Sequence, residues 1–209
     1  MNTVCSELHH FAWQLPRYSF TFDKKLIPQN GIYLLFEKGE PAHGGDRIVR
    51  IGAHTGVNQL RSRLMQHFTN EKKDRSIFRK NIGRCLLHQA NDPYLAVWEL
   101  DATSSKNKSS YSHLIMPDYQ KEIEQQVSSY MRENFTFTVL EVPSKEDRLY
   151  FESRIVSTVS LCKECSCSQS WLGLSSPKAK IRESGLWQVN ELYKSGLSAE
   201  DFKRLVENT

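Results

Sequence analysis

The sequence predicts one α+β domain, in which a small central antiparallel β-sheet is flanked by helices. Short β-prone segments are interspersed with segments of helical period, and no internal repeat divides the 209 residues. Hydrophobic residues make up 39% of the chain and charged residues 25%, as in ordinary globular proteins. We therefore treat residues 1–209 as a single domain with N- and C-terminal extensions. Its motif core spans residues 29–161, and a helical C-terminal extension spans residues 171–209.

The predicted sheet begins with a hairpin. Residues 31–37 (GIYLLFE) are apolar and β-prone, and residues 47–52 (RIVRIG) give a second strand. The glycine-rich residues 38–46 predict a long loop between these two strands. Further strands are expected at residues 94–100 and 135–142.

Helices are predicted from the spacing of apolar residues and from capping residues. Apolar side chains recur every four positions within residues 57–68, which indicates one face of an amphipathic helix. Ser76 is suited to cap a second helix over residues 76–87. The remaining predicted helices cover residues 117–132 and 144–161, with two short helices in the tail. The polar residues 101–112 (DATSSKNKSSYS) are expected to form a surface loop.

The bulk properties exclude several classes of protein. No segment approaches the roughly 20 apolar residues of a membrane-spanning helix, and residues 1–10 lack the pattern of a secretory signal. The five cysteines are odd in number, so they do not suggest a disulfide framework. Free thiols in a reducing compartment and a cytoplasmic location without membrane partners are therefore expected.

Positive charge is concentrated in one part of the chain. The formal net charge is only +4, but basic residues dominate between positions 61 and 84. They are Arg61, Arg63, Lys72, Lys73, Arg75, Arg79, Lys80 and Arg84. Such a run indicates either a solvated helix face or a surface that binds phosphate groups.

Three segments, taken in order, resemble the signature of the GIY-YIG nuclease family. They are Gly31-Ile32-Tyr33, Arg50-Ile51-Gly52 and the helical segment at residues 60–68 (LRSRLMQHF). The resemblance implies two strands that carry the tripeptides, then a helix with an essential arginine, and later a helix with a metal-binding glutamate. Residues 47–87 and the tail around Trp171 and residues 185–190 are similar to a bacterial branch of that family.

This resemblance implies a divalent-metal-dependent endonuclease that hydrolyses phosphodiester bonds of DNA. Tyr33 would accept or position the proton of the attacking water, and Arg63 would bind the non-bridging phosphate oxygens. Glu152 would hold Mg²⁺ or Mn²⁺, because such ions take oxygen ligands and keep several waters. His67 lies one helical turn beyond Arg63 and would pass a proton or bind phosphate.

The sequence departs from the family pattern at Arg50, which replaces the second tyrosine. A cation there would favour the ionised form of Tyr33 or hold the phosphate. The departure leaves His54 as an alternative general base, since an ordinary histidine pKa near ~6.5 suits proton transfer at neutral pH. Glu146 is an alternative to Glu152 as the metal ligand. Glu152 is preferred because the apolar face of the helix places Glu152 near the edge that faces inward.

Four residues are expected to contact DNA, with duplex DNA as the expected substrate. Arg61, Arg79 and Lys80 would bind the phosphate backbone, which gives affinity without sequence reading. Asn190 would match a family asparagine near the metal. A homodimer on DNA is one way for a one-site nuclease to cut both strands.

Two other functions remain open at this point. The missing second tyrosine is compatible with a catalytically inactive module that only binds nucleic acid. The second alternative is an interaction domain stabilised by zinc. Its zinc ligands would be Cys162, Cys165 and Cys167, with His88 or Cys85 as the fourth ligand. Free thiols at a helix end are the preferred interpretation of these cysteines.

Overall fold

A three-stranded antiparallel sheet with strand order β2-β1-β3 lies at the centre of the fold. The strands are β1 (Gly31–Ala42), β2 (Gly45–Gly52) and β3 (Phe135–Glu141). The computed structural model describes residues 3–207, so residues 1–2 and 208–209 of the predicted extensions lie outside the described residues. Helices flank the sheet, which confirms the predicted fold class.

The helices of the described residues surround this sheet. They are α1 (Thr3–Gln14), α2 (Leu60–Phe68), α3 (Ile77–Gln89), α4 (Leu95–Trp98), α5 (Ser105–Tyr111), α6 (Pro117–Asn134), α7 (Lys145–Leu161), α8 (Ala179–Ser184) and α9 (Ala199–Glu207). Short 3-10 turns cover Lys24–Leu26, Lys73–Arg75, Lys163–Cys165 and Leu172–Ser175. Within residues 3–207 no helix has both the length and the apolar character needed to cross a membrane.

The central strand β1 divides its side chains between two apolar cores, because successive residues of a strand point to opposite faces. Tyr33 and Leu35 belong to a core that includes residues of α2, α3 and α6. Ile32 and Leu34 belong to a second core that includes residues of α1, α7 and α9. The sheet is therefore covered on both faces, and residues 31–37 are buried throughout.

The hairpin connection is shorter than the sequence predicted. Residues 38–46 were expected to form a long loop, but β1 continues to Ala42 and β2 starts at Gly45. The chain turns at His43 and Gly44, whose φ angles are +51° and +88°. Glycines and prolines in this segment belong to a twisted hairpin end with register shifts, which the loop interpretation did not allow for.

Three other segments differ from the prediction. Residues 94–100 contain the helical turn α4 and no strand, because Trp98 packs against Gly83 of α3 and its indole N–H donates to the carbonyl of Lys80 (3.0 Å). Short apolar runs fit a strand or a buried helix equally well. Residues 101–112 contain the helix α5, capped by Ser104, where a loop was expected. The helix α1 was not anticipated.

The C-terminal tail is fastened to the sheet through Glu37. Its buried carboxylate accepts hydrogen bonds from the indoles of Trp171 and Trp187 (both 2.7 Å) and from the hydroxyl of Tyr130 (2.5 Å). Burial raises the pKa of the Glu37 carboxyl, and the three donors oppose that rise. The backbone N–H of Trp187 donates to the carbonyl of Val49 (2.9 Å), so the tail also covers the outer edge of β2.

Candidate active site

The tyrosine of the first tripeptide lies directly over the glycine of the second. Tyr33 is paired with Gly52 across the hairpin. A β-carbon at position 52 would overlap the phenol of Tyr33. The pairing explains why a glycine is needed there, and it places the hydroxyl of Tyr33 at the end of β2.

A chain of hydrogen bonds runs inward from this hydroxyl. The Tyr33 hydroxyl lies 2.8 Å from Nε2 of His67, and Nδ1 of His67 lies 2.6 Å from Oγ of Ser76. Ser76 also caps α3 by accepting a hydrogen bond from the N–H of Arg79 (3.2 Å). Sequence analysis assigned Ser76 only as a helix cap and missed its contact with His67. The position of Ser76 at the start of a predicted helix was the only feature of the sequence that pointed to a role for its side chain.

The surroundings of His67 keep its ring neutral. The side chain is fully buried, and this burial lowers its pKa well below 6.5. The nearby cations Arg63, Arg50 and Arg79 lower the pKa further. A neutral imidazole donates with one nitrogen and accepts with the other. His67 can therefore link the two hydroxyl groups by accepting a hydrogen bond from one and donating to the other.

Arg50 is held close to His67 by the tail and by α3. Its Nη1 donates to the carbonyl of Trp187, and its guanidinium lies 5.1 Å from the ring centre of Phe78. Within the described part of the chain, its buried Nε has no hydrogen-bond partner. The residue that replaces the family's second tyrosine is thus a fixed cation with an unpaired N–H.

Glu152 reaches the same place from α7, on the other side of the sheet. Its Oε1 accepts a hydrogen bond from the N–H of Ala53 (3.0 Å), the residue after β2. Burial raises the pKa of Glu152, whereas this hydrogen bond and the charges of Arg50 and Arg63 oppose the rise. Glu146 lies in the exposed first turn of α7 and contacts Ser144.

Arg63 borders an open cleft of about 270 Å³ next to Ala53. The cleft is lined by Ala53, His54, Thr55, Gln59, Ser62, Arg63 and Gln66. Nη1 of Arg63 donates to Gln66 (3.3 Å) and to the carbonyl of Arg75 (3.5 Å). Glu152 is not a lining residue, but its Oε1 binds the N–H of Ala53 in the cleft wall. A half-buried carboxylate next to such a wall supplies the oxygen ligands that a hydrated divalent ion prefers.

His54 lies on the wall of this cleft but is engaged with the backbone. Its Nδ1 donates to the carbonyl of Gly56 (2.7 Å), and its Nε2 accepts from the N–H of Gly31 (3.3 Å). Burial is the main cause of a lowered pKa for its imidazole. Acceptance of a further proton at Nε2 would require loss of the contact with Gly31. The geometry thus gives His54 a supporting role beneath the first tripeptide.

Two predicted DNA contacts are corrected by the structure. The side chain of Arg79 is fully buried and pairs with Glu124 (2.9 Å). Lys80 is buried too, and its Nζ donates to the carbonyls of Glu99 (2.7 Å) and Leu100 (3.3 Å). Neither side chain can reach a bound phosphate, so both cations stabilise the packing of α3.

The other two predicted DNA contacts are closer to the surface. Nε of Arg61 donates to the carbonyl of Ile27 (2.7 Å), and the side chain is half-buried. Asn190 is exposed, and its neighbour Glu191 accepts a hydrogen bond from Ser153 (2.5 Å). The tail therefore returns to the residue that follows Glu152, although 38 positions separate Ser153 from Glu191.

Comparison with known proteins gives one match. A family profile described as a GIY-YIG domain matches residues 12–209. Neither the curated proteins nor the solved structures contain a significant match to the chain. The matched span includes both tripeptides, the helix with Arg63, the helix with Glu152 and the tail that anchors Arg50.

Proposed function

The chain belongs to the GIY-YIG domain family, whose members are nuclease-type enzymes, and we propose that it is a divalent-metal-dependent endonuclease that hydrolyses DNA. One observation carries the proposal. Arg63 lines an open cleft, and its charge together with that of Arg50 acts on both His67 and Glu152. Tyr33 joins this group through its contact with His67, so five residues from two strands and two helices interact at one place. Hydrolysis of a phosphodiester needs an activated water, donors to the phosphoryl oxygens and help for the leaving oxygen.

Tyr33 and His67 position the attacking water in this proposal. The hydroxyl of Tyr33 donates to Nε2 of the neutral His67, and its oxygen accepts a hydrogen bond from the water. The oxygen of that water forms the new bond to phosphorus while the bond to the leaving oxygen breaks. The water gives up a proton to solvent, and the leaving oxygen takes one up. The 2.8 Å contact with His67 fixes the Tyr33 hydroxyl, whereas both ring nitrogens of His54 are engaged with the backbone, which supports this assignment over His54.

Arg63 binds the phosphate, and Arg50 adds positive charge beside it. Arg63 borders the cleft and presents a planar group of donors that suits two phosphate oxygens at once. Arg50 is buried and already fixed by Trp187, so in this proposal its charge stabilises the bound phosphate without a direct contact. Donors that are fixed before the substrate binds stabilise the added charge of the transition state without reorganisation.

Glu152 would hold the divalent cation through Oε2, while Oε1 stays on the N–H of Ala53. Bound Mg²⁺ or Mn²⁺ would supply charge neutralisation at the phosphate and the leaving oxygen. Arg50 and Arg63 favour the ionised carboxylate that this role requires, against the opposing effect of burial. Glu152 is thus a better ligand than the exposed Glu146.

The expected DNA surface extends from the cleft in two directions. In this proposal Arg61 contacts the DNA backbone, and Asn190 contacts DNA near the metal, as expected from the sequence. Lys72 and Arg75 take the place of the buried Arg79 and Lys80, because both are exposed and the carbonyl of Arg75 contacts Arg63. These side chains suit the phosphates of duplex DNA, where a homodimer would present one site to each strand.

Cleavage of supercoiled plasmid in Mg²⁺ or Mn²⁺ tests the proposal. We expect the unmodified protein to nick or linearise the plasmid. Glu152→Ala and Arg63→Ala should lower the rate by about 10²–10³-fold, the usual effect of losing a group that stabilises the transition state. Glu133→Ala and Arg132→Ala, which alter exposed side chains of α6, serve as matched controls with unchanged rates.

Two results would contradict this function. Cleavage by Glu152→Ala at the rate of the unmodified protein would remove the metal assignment. Failure of the unmodified protein to cleave in either metal, together with salt-sensitive DNA binding, would indicate a binding module without catalysis.

A further inference from the structure

A second cluster of polar side chains lies in the core between β1, α1 and α7, away from the cleft. It consists of Cys5, His9, His43, Cys162 and Cys165. The thiols are buried, with exposed fractions of 0% for Cys5, 7% for Cys162 and 2% for Cys165. The side chain of His43 is 2% exposed. The nuclease proposal gives this cluster no role.

The members of the cluster come from three parts of the chain. Cys5 lies on α1, and His43 lies in the turn between β1 and β2. Cys162 and Cys165 follow the end of α7. The donor atoms of Cys5, His9, His43 and Cys165 all lie within 4.8 Å of one another.

The distances between the thiols and His43 are those of ligands around one small ion. The Sγ atoms of Cys5 and Cys165 lie 3.6 Å apart. Nε2 of His43 lies 3.4 Å from Sγ of Cys165 and 3.5 Å from Sγ of Cys162. The Cys162 thiol interacts electrostatically with the Cys165 thiol. In a tetrahedral zinc site, bond lengths of about 2.3 Å to sulfur and 2.0–2.1 Å to nitrogen separate these ligand atoms by about 3.5–3.8 Å.

The two histidines differ in what their ring nitrogens already contact. Nδ1 of His9 contacts the carbonyl of Cys5 (2.8 Å), and Nε2 of His9 accepts from the N–H of Ile48 (3.2 Å). His9 therefore has no lone pair left for an ion. Nε2 of His43 faces the thiols, while its Nδ1 lies 3.4 Å from a carboxylate oxygen of Glu164. A carboxylate on the far nitrogen is the usual partner of a zinc-bound histidine.

The backbone around His43 gives a further argument. His43 adopts φ +51°, a left-handed conformation that is uncommon for residues other than glycine. This conformation turns the hairpin, and the side chain of His43 lies against the cysteine pair. The turn thereby holds the His43 imidazole against Cys162 and Cys165.

We propose that Cys5, His43, Cys162 and Cys165 bind one structural Zn²⁺, which joins α1, the hairpin turn and the end of α7. Four protein ligands complete a tetrahedral site and leave no position for a substrate, so the ion stabilises the fold. The ligand set differs from that expected from sequence. Cys167 lies instead near Arg47 and Glu40, Cys85 belongs to the core on the other face of the sheet, and His88 is exposed on α3.

The first test measures the metal content of the full chain, purified without a histidine tag or chelator and under reducing conditions. We expect one Zn²⁺ per chain by elemental mass spectrometry. Replacement by Co²⁺ should give the intense visible absorption of a tetrahedral cobalt thiolate. Chelation should lower the temperature of unfolding, and added Zn²⁺ should restore it. Protein without zinc that also gives no such cobalt spectrum would overturn the proposal, as would a disulfide among the three cysteines in the native protein.

Matched variants then identify the ligands. Cys162→Ser and His43→Gln should lose the bound zinc and the cobalt spectrum, whereas Cys167→Ser and His88→Gln should keep both. His9→Gln should keep the cobalt spectrum, because His9 lies beside the site without binding the ion. The ligand set would be contradicted if Cys167→Ser lost as much bound zinc as Cys162→Ser. It would also be contradicted if His43→Gln kept the cobalt spectrum of the unmodified protein. The cobalt spectrum of the unmodified protein decides the question if the ligand variants fail to fold.

Discussion

His67 illustrates how much a single buried side chain depends on its surroundings. It lies between the hydroxyls of Tyr33 and Ser76, and burial together with the nearby arginines lowers its pKa. Its position one turn after Arg63 was predictable from helical spacing. Its neutral state was not, because the lowered pKa is caused mainly by burial beneath distant parts of the chain, with further effects from Arg63, Arg50 and Arg79.

The lowered pKa of His67 predicts that the protein loses stability in acid. A free histidine titrates near ~6.5, so below that pH the unfolded chain binds a proton that the folded chain does not. The free energy of unfolding should therefore fall as the pH drops from about 7 to 5, by up to about 1.4 kcal/mol per pH unit from this residue. Urea unfolding at several pH values measures the slope.

The slope should be smaller in His67→Gln, which has no ring to protonate. His10→Gln, a change at an exposed histidine of α1, should keep the slope of the unmodified protein. Equal slopes in the unmodified protein and in His67→Gln would show that His67 is not the group responsible.

At the scale of elements, α3 shows where charge composition misleads. Its segment IFRKNIGRC has the basic character of a phosphate-binding surface, yet its cations point inward. Arg79 pairs with Glu124 of α6, and Arg84 pairs with Glu99 (2.5 Å) beyond α4. Arg79 and Glu124 are 45 positions apart. No local pattern distinguishes a cation that meets such a distant acid from one that meets DNA.

Removal of the Arg79 side chain should therefore destabilise the protein, with no specific effect on DNA binding. Arg79→Ala leaves the buried carboxylate of Glu124 without its cation, which typically costs about 3–5 kcal/mol. Arg75→Ala, a change at an exposed arginine in the turn before α3, should alter the stability by less than about 0.5 kcal/mol. Denaturant unfolding compares the two variants, and equal stabilities would disprove the structural role of Arg79.

The elements with strong local signals were predictable, and the exceptions have physical reasons. Helices α3, α6 and α7 and strand β3 lie within about two residues of their predicted bounds, because capping residues and apolar spacing mark them. The third predicted strand, at residues 94–100, contains the helix α4 instead, since the indole of Trp98 packs on Gly83 rather than on a sheet. Helix α1 lacks acidic residues in its first turn and basic residues in its last turn.

At the scale of the whole molecule, the tail completes the candidate site. Trp171 and Trp187 bind Glu37, and the carbonyl of Trp187 then holds Arg50. The family resemblance named the residues of the candidate site, since their order along the chain is the signature. The contacts that hold these residues in place could not be predicted from the sequence. Arg50 and Trp187 are 137 positions apart, and Glu152 and Ala53 are 99 positions apart.

Loss of the Glu37 carboxylate should release the tail and disable the site together. Glu37→Ala leaves two buried indole N–H groups and one hydroxyl without their acceptor, at about 1–3 kcal/mol for each group. Glu37→Gln keeps an acceptor oxygen in the same place and should retain the docked tail. Limited proteolysis of the tail, tryptophan fluorescence and plasmid cleavage measure the effect. Full activity in Glu37→Ala would show that the tail is dispensable.

Because Trp187 and Glu191 lie late in the chain, their contacts with the candidate site form late during protein synthesis. A ribosome makes a chain from its N-terminus at about 5–20 residues per second, so Arg50 and Glu152 leave the ribosome before residues 187–191. Until then Arg50 lacks the carbonyl of Trp187, and Ser153 lacks its contact with Glu191. Until residues 187–191 have been made, a growing chain therefore carries the proposed site without the contacts of the tail that complete it.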